Sequence, residues 1–316
     1  MSALETGASS PMDYRLALCD AAPVAASYVI EPRYLGYRDE DRRKPYARFF
    51  QERARPVQAH VKDALLAGPV AAEFGTRKST VAAELSRPGY LPLETGYTIN
   101  EDGHIVVAVL TDMPGVTGEM WDWWAWWHAV EPARYKLWHP EAHLFAGYAE
   151  DRSRSRGLSD RDRYVGNTCY IDEYIGHTKS RLRASFLDPA NLGFEPCRAG
   201  ETVITARGGL STVPLAAAWL IHQVRRSPSG SEMRSRFIIN DLKVLRLPAH
   251  SVTTGIGRLL SMPGLNDLAG MVMNGRKPAR LHEVGPAMLY HCAQEMNHLA
   301  SFLPRLHEEF SVDSRL

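Results

Sequence analysis

His291 and Glu295 stand four residues apart in LYHCAQEMNHLASFLPRL, a spacing that puts both side chains on one face of a helix, one turn apart. An imidazole and a carboxylate presented in this way can share one metal ion, although the same pair also serves many helices as a plain hydrogen-bonded couple. A second set lies far upstream: His139 and His143, again at i,i+4, in RYKLWHPEAHLF, and Glu173 in YIDEYIG. Strand alternation places Tyr170, Asp172 and Tyr174 on one face and Ile171, Glu173 and Ile175 on the other. Glu173 is therefore expected to point into the apolar interior, where a carboxylate needs a partner, either an arginine or a metal ion. His143 and Glu173 taken with His291 and Glu295 give two imidazoles and two carboxylates, a set suited to Zn²⁺ or another first-row divalent ion. His139 competes with His143 for this role. His298, a turn further along the helix, is read as a hydrogen-bond partner or a surface group.

Bringing these residues together requires a defined set of elements. TGYTINEDGHIVVAVLTDMPG predicts a strand, a turn at Glu101–Gly103 and an apolar strand from His104 to Leu110, stopped by Pro114 and Gly115. TGEMWDWWAWWHAV predicts a helix from Thr117 to Val130, ended before Pro132, and holds five of the seven tryptophans. Residues 150–163 read as a mixed-charge surface loop. NTCYIDEYIG, SRLRASFLD, ETVITARGG, VPLAAAWLIHQVRR and MRSRFIINDLKVLRL read as strands, with a flexible turn or lid at 227–232. One long helix is expected from Pro278 onward, roughly His282 to Glu309, with Pro304 as a kink or stop. An antiparallel sheet with helices on one face is an α+β arrangement, and a curved sheet gripping one long helix leaves a cavity between them. Residues 1–92 form a small N-terminal domain or arm, frayed over 1–20, whose amphipathic stripe of Val57, Val61, Ala64 and Leu65 suits packing or dimer formation. Residues 93–316 are expected to form the second domain, which carries all the candidate donors.

Composition narrows the classes of function. Of 316 residues, 45% are hydrophobic and 23% charged, and 37 Lys+Arg against 36 Asp+Glu leave a net charge of +1. Such a balance carries no footprint for nucleic acid or an anionic membrane. No apolar run approaches the roughly 18 residues of a membrane span, and the first residues lack the order of a signal peptide. The four cysteines form no CxxC pair, which argues against a cysteine zinc site or a disulfide framework. No glycine-rich phosphate or dinucleotide loop is present. A soluble cytoplasmic protein is expected.

Four stretches, MPGVTGEMWDWWAWWH (113–128), RYKLWHPEAH (134–143), DEYIG with LDPANLGF (172–194) and HCAQEMNHLASFLP (291–304), resemble the 2,4-diacetylphloroglucinol hydrolase family, which includes phloretin hydrolase. The resemblance implies a helix-grip, START-like catalytic domain, a homodimer, and zinc-dependent hydrolysis of the carbon–carbon bond between a polyphenol ring and an acyl group. The partner would be a small aromatic ketone substrate. Carried over by motif, it makes His143, Glu173, His291 and Glu295 the zinc ligands. It makes Tyr135 a residue that holds the substrate, and His222 in LIHQVR the catalytic histidine outside the ligand set, a general acid or relay to the ring carbon. Within the tryptophan run, Trp124 and Trp127 are expected to face the pocket, and Trp121 and Trp126 to be core. Leu144, Phe145 and Ala146 after His143, and Phe237, depart from the polar residues that the family places near the metal, which bears on the substrate more than on the reaction. Two other functions use the same grip: a carrier of a hydrophobic aromatic ligand, and a polyketide-tailoring lyase or cyclase with the same metal. The buried quartet separates the enzyme from the carrier.

Overall fold

The computed structural model describes residues 33–211, 215–244 and 281–311; the expectations for residues 1–20 and for Pro278 lie outside them. Besides short 3-10 turns, the chain runs α1 (Ala59–Ala67), α2 (Val81–Leu85), β1 (Gly96–Ile99), β2 (Ile105–Asp112), α3 (Gly118–Trp127), α4 (Pro132–Trp138), β3 (His143–Tyr148), α5 (Asp160–Tyr164), β4 (Thr168–Ile175), β5 (Thr178–Leu187), β6 (Thr202–Leu210), β7 (Leu215–Ser227), β8 (Gly230–Val244), α6 (Leu281–Ala300) and α7 (Leu303–Phe310). The strands make one eight-stranded sheet in the order β1-β2-β8-β7-β6-β5-β4-β3, antiparallel at every neighbour. This is the α+β class, with all five expected strands after residue 166 in place. The turn or lid expected at 227–232 is the tight link from β7 to β8, with Ser227 opposite Gly230.

Helix α6 packs against β1 and β2 near one end of this sheet and against β4 near the other. On a flat sheet, β2 and β4 in this order would lie about 24 Å apart, more than twice the width of a helix (roughly 10–12 Å). The sheet therefore curves around α6, and the fold is a helix grip. The concave side holds Ile105, Val107, Val109, Ile204, Val224, Met233 and Phe237 against Leu289, Cys292, Met296 and Leu299 of the helix. On the convex side, Val203, Trp219, Ile221 and Ile238 pack under Val81 and Leu85. The segment 33–92 shares both cores, since Tyr46, Phe49, Val57 and Val61 join the concave one.

Three local features differ from the sequence reading. The single C-terminal helix is two, broken at Ser301–Phe302, with Pro304 in the first turn of α7 where its missing N–H leaves no bond unmade. Past the tryptophan helix, α4 starts at Pro132; at seven residues it is too short for a periodic signal. The charged loop contains α5, started by a capping box in which Ser159 and Asp162 bond each other's backbone N–H.

Gly285 lets α6 come down onto β1: a Cβ there would stand 2.5 Å from the ring of Tyr97. Gly285→Ala is expected to lower unfolding free energy by about 1–3 kcal/mol, the usual cost of overpacking. Denaturant titration reads this directly; an unchanged midpoint would mean the helix does not approach the sheet so closely.

Candidate metal centre

Two pieces of backbone carry the four candidate donors. In the β3–β4 ladder His143 lies directly opposite Glu173, and the next pair is Phe145 with Asp172, so Leu144 is an extra residue in a bulge. Bulges bend a strand and re-aim its side chains; here His143 and Glu173 share the face turned towards α6. Asp172 goes to the other face and bonds Arg33 Nε at 3.0 Å, while the Arg33 guanidinium lies 4.1 Å from the Phe145 ring centre. Of the partners foreseen for a buried carboxylate, the arginine goes to Asp172 on one face of β4, while Glu173 on the other faces two imidazoles. From α6, His291 and Glu295 project side by side, as their spacing predicts.

The four side chains converge. His143 Nε2 lies 3.5 Å from Glu173 Oε2 and 3.4 Å from Glu295 Oε2, and His291 Nε2 lies 3.7 Å from each of the same two oxygens. His143, Glu173 and His291 each bring one donor atom within 4.8 Å of the others; Glu295 joins them through its two imidazole contacts. A tetrahedral ion with bonds of about 2.0–2.1 Å holds its donors roughly 3.3–3.4 Å apart, close to the spacing here. His143 Nδ1 bonds the carbonyl of Tyr135 at 3.0 Å. A carbonyl only accepts, so Nδ1 carries the hydrogen and Nε2 turns a lone pair inward. That Nε2 is buried with no hydrogen-bond partner among the described residues.

The electrostatics agree with this geometry. Burial holds His291 at about 4 and His143 well below the usual imidazole range, with His291 and His139 adding to the effect. Burial likewise raises Glu173 to about 7, and burial with the nearby Glu173 raises Glu295 well above the usual carboxylate range. Two neutral imidazoles and two carboxylates starved of a counter-charge are a donor set that a divalent cation satisfies.

Other sequence candidates fall around this cluster. His139 is not among the donors: its Nε2 bonds Gln294 Oε1 at 3.1 Å, and its ring stacks on that of His291 at 5.2 Å. His298 accepts the backbone N–H of Arg55 at 3.3 Å, away from the donors. Tyr135, expected to hold substrate, donates its hydroxyl to Glu173 Oε2, and its ring lies flat on His143 at 3.7 Å. His222 lies on the concave side of β7, its Nδ1 paired with Ser235 Oγ at 2.9 Å. A path of rings leads from it to the cluster: His222 to Trp121 at 6.4 Å, Trp121 to Trp138 at 5.9 Å, and Trp138 to His143 at 5.9 Å.

The tryptophan assignment needs correction. Trp124 meets the edge of Trp138 and stacks on His128, but Trp127 packs on Tyr46 and Phe310 under Arg134 and faces the arm. Trp121 is core, as expected, and its ring also stacks on His222; Trp138 meets the edge of His143. Gln294 and Trp138, which touch His139 and His143, carry no signal in the sequence, because neither residue type marks a site without the fold around it. An open cleft lined by Trp126, Val130, Phe145, Tyr148, Arg152 and Arg163 contains none of the four donors.

Comparison with known proteins agrees with the motifs. The family model described as the DAPG hydrolase PhiG domain matches residues 79–308. The chain is 30% identical over 279 residues to the 2,4-diacetylphloroglucinol hydrolase of Pseudomonas protegens, covering 86% of each chain. It is also 30% identical over 215 residues to the phloretin hydrolase of Eubacterium ramulus, covering 65% of this chain and 76% of the relative. Among the described residues, no helix is long and apolar enough to cross a membrane.

Elemental analysis of the purified chain is expected to find about one divalent ion per molecule, and His291→Ala to lose it; equal metal in both would remove this centre. A second expectation concerns acid. His128, His222 and His298 are each held at about 4 by burial, against an ordinary 6.5. Below about 6.5 the unfolded chain takes up protons that the folded one refuses. The stability from these neutral rings is therefore whole above that pH and is lost as pH falls towards 4. In His128→Gln the slope of unfolding free energy in this window should fall by about 1.4 kcal/mol per pH unit; an unaltered slope would mean that His128 is already protonated in the folded chain.

Proposed function

The chain belongs to the DAPG hydrolase family, and on that premise we propose that it is a Zn²⁺-dependent hydrolase that cleaves the carbon–carbon bond between a polyphenol ring and an acyl group. The substrate class is acylphloroglucinol-like ketones, and the products are a phenol and a carboxylic acid. One observation carries the reading: two carboxylates and two inward-facing imidazoles, spaced for a single cation, inside an apolar grip. A carrier with the same fold would leave both carboxylates buried without a counter-charge, at a cost of several kcal/mol, and would gain nothing from them.

In this reading His143, Glu173, His291 and Glu295 hold the ion. When bound, Zn²⁺ polarises a carbonyl and lowers the pKa of water. The chain's own residues supply the rest. Burial and the adjacent carboxylates keep the Tyr135 hydroxyl protonated, its pKa raised well above the usual phenol range. It is thus a permanent donor that fixes Glu173 first and leaves its oxygen available to a substrate hydroxyl or carbonyl second. His222 is neutral at physiological pH, held at about 4 by burial, so it does not begin as an imidazolium acid. Instead it takes the phenolic proton and returns it to the ring carbon that bears the acyl group, giving the keto tautomer whose carbon–carbon bond can break. Overall, water is added across that bond: hydroxyl to the acyl carbon, hydrogen to the ring carbon. Trp121, Trp138 and Trp124 wall the ring and exclude other water.

The reading extends to a catalytic domain over 93–316 and a cytoplasmic homodimer formed through the arm, where Leu66, Val70 and Phe74 are exposed.

The test is acid release from acylphloroglucinols by the metal-loaded protein; none from any of them would end the reading. His222→Ala is expected to keep its metal and lose about 10²-fold or more in kcat. A near-wild-type rate would take the proton shuttle away from His222.

A further inference from the structure

The proposed metal centre is assembled from two bodies, the β3–β4 ladder and helix α6. Across the seam His143 Nε2 lies 3.4 Å from Glu295 Oε2 and His291 Nε2 lies 3.7 Å from Glu173 Oε2, and His143 Nε2 has no hydrogen-bond partner among the described residues, so other contacts must hold the two halves in register.

His139 crosses it. On the sheet side its carbonyl accepts the backbone N–H of His143 at 2.9 Å and of Ala142 at 3.2 Å, which sets the turn that delivers His143 to β3. On the helix side its Nε2 bonds Gln294 Oε1 at 3.1 Å, and its ring lies parallel to that of His291, 5.2 Å between centres and 12° between planes. Gln294 is the residue before Glu295, one turn from His291. Both residues are buried, His139 at 5% and Gln294 at 8% exposure, so water does not compete for their bond. The turn is also pinned from outside, where Gly36 N bonds Pro140 O at 3.2 Å and Ala54 N bonds Glu141 Oε2 at 3.0 Å.

We infer that His139, acting through Gln294, is a positioning residue that locks the sheet-borne half of the metal centre to the helix-borne half before the ion arrives. The inference rests on the metal reading above. Groups that orient metal ligands are commonly worth 10–100-fold in affinity, and the lock should be worth a similar factor.

The experiment measures Zn²⁺ affinity by chelator competition in the wild type, His139→Phe, Gln294→Met and His139→Gln, together with the visible spectrum of each Co²⁺-loaded protein. His139→Phe keeps a stacking ring and loses the bond; Gln294→Met removes the acceptor and leaves the ring. Both should bind Zn²⁺ about 10–100-fold more weakly and shift the Co²⁺ bands. His139→Gln, whose amide reaches where Nε2 stood, should recover most of the affinity. A merely structural role would lower the unfolding midpoint and leave affinity and spectrum of the folded protein alone. Wild-type affinity within about twofold and an unshifted spectrum in either folded variant would overturn the lock. A wild type that binds no ion would remove the metal centre itself, a distinct failure. Gln294→Met keeps the question open to test if His139→Phe does not fold.

Discussion

The constraint on which the site depends is the burial of two carboxylates with no arginine or lysine in ion-pair reach among the described residues. Several other acids of this chain are neutralised from within. Asp172 has Arg33 at 3.0 Å, Glu232 has Arg225 at 2.5 Å, and Glu94 sits between Arg234 and Arg236 at 2.5 and 2.6 Å. For Glu173 and Glu295, the basic groups in ion-pair reach among the described residues are His143 and His291, both kept neutral by burial. An unpaired buried charge costs several kcal/mol, a cost that the proposed cation would relieve.

The fold serves that arrangement by surrounding it. Wrapping the sheet around α6 lets strands far apart in the order face one helix, so that donors from β3, β4 and α6 meet in apolar surroundings. The close contact at Gly285 sets how deep the helix sits. The arm is part of the same construction. Its residues fill the concave core through Tyr46, Phe49 and Val61, and its backbone bonds the turn before His143. The positions of His143 and Asp172 are therefore set in part by residues more than eighty positions upstream in the chain.

What the sequence made legible was local. The i,i+4 spacing of His291 and Glu295 and the opposite faces of Asp172 and Glu173 follow from helix and strand geometry alone, and both hold; the burial of β4 does not alternate, since Asp172 is buried as well. His139 and His143 share one spacing, so no local rule separates them; the bulge at Leu144 and the bond of His143 Nδ1 to Tyr135 do, and both are tertiary. The tryptophans failed for another reason. In α3, seven of ten residues are buried, all five tryptophans among them, so the narrow polar stripe of Glu119 and Asp122 leaves too wide an apolar face for periodicity to say which ring faces the donors and which the arm. The division of the last helix turned on Pro304, whose presence was plain but whose role as helix start depended on the chain breaking at Ser301–Phe302 first.

The same aromatic packing that hid the site from the sequence decides its acid–base chemistry. His222 is enclosed by Trp121 and Phe237, with Ser235 as its hydrogen-bonding partner. Rings exclude water and offer little to a cation whose nearest polar neighbour is a hydroxyl, so the imidazolium is disfavoured and the ring stays neutral. A neutral imidazole is a poor donor at the start of a reaction but a good shuttle, accepting at one nitrogen while its partner at the other holds the tautomer. Ser235 can donate or accept, so it suits either tautomer and lets the proton pass without turning the ring. The proposed reaction, which would move a proton from a phenol oxygen to an adjacent ring carbon, calls for such a group outside the ligand set, with its proton affinity set by the packing of the rings around it.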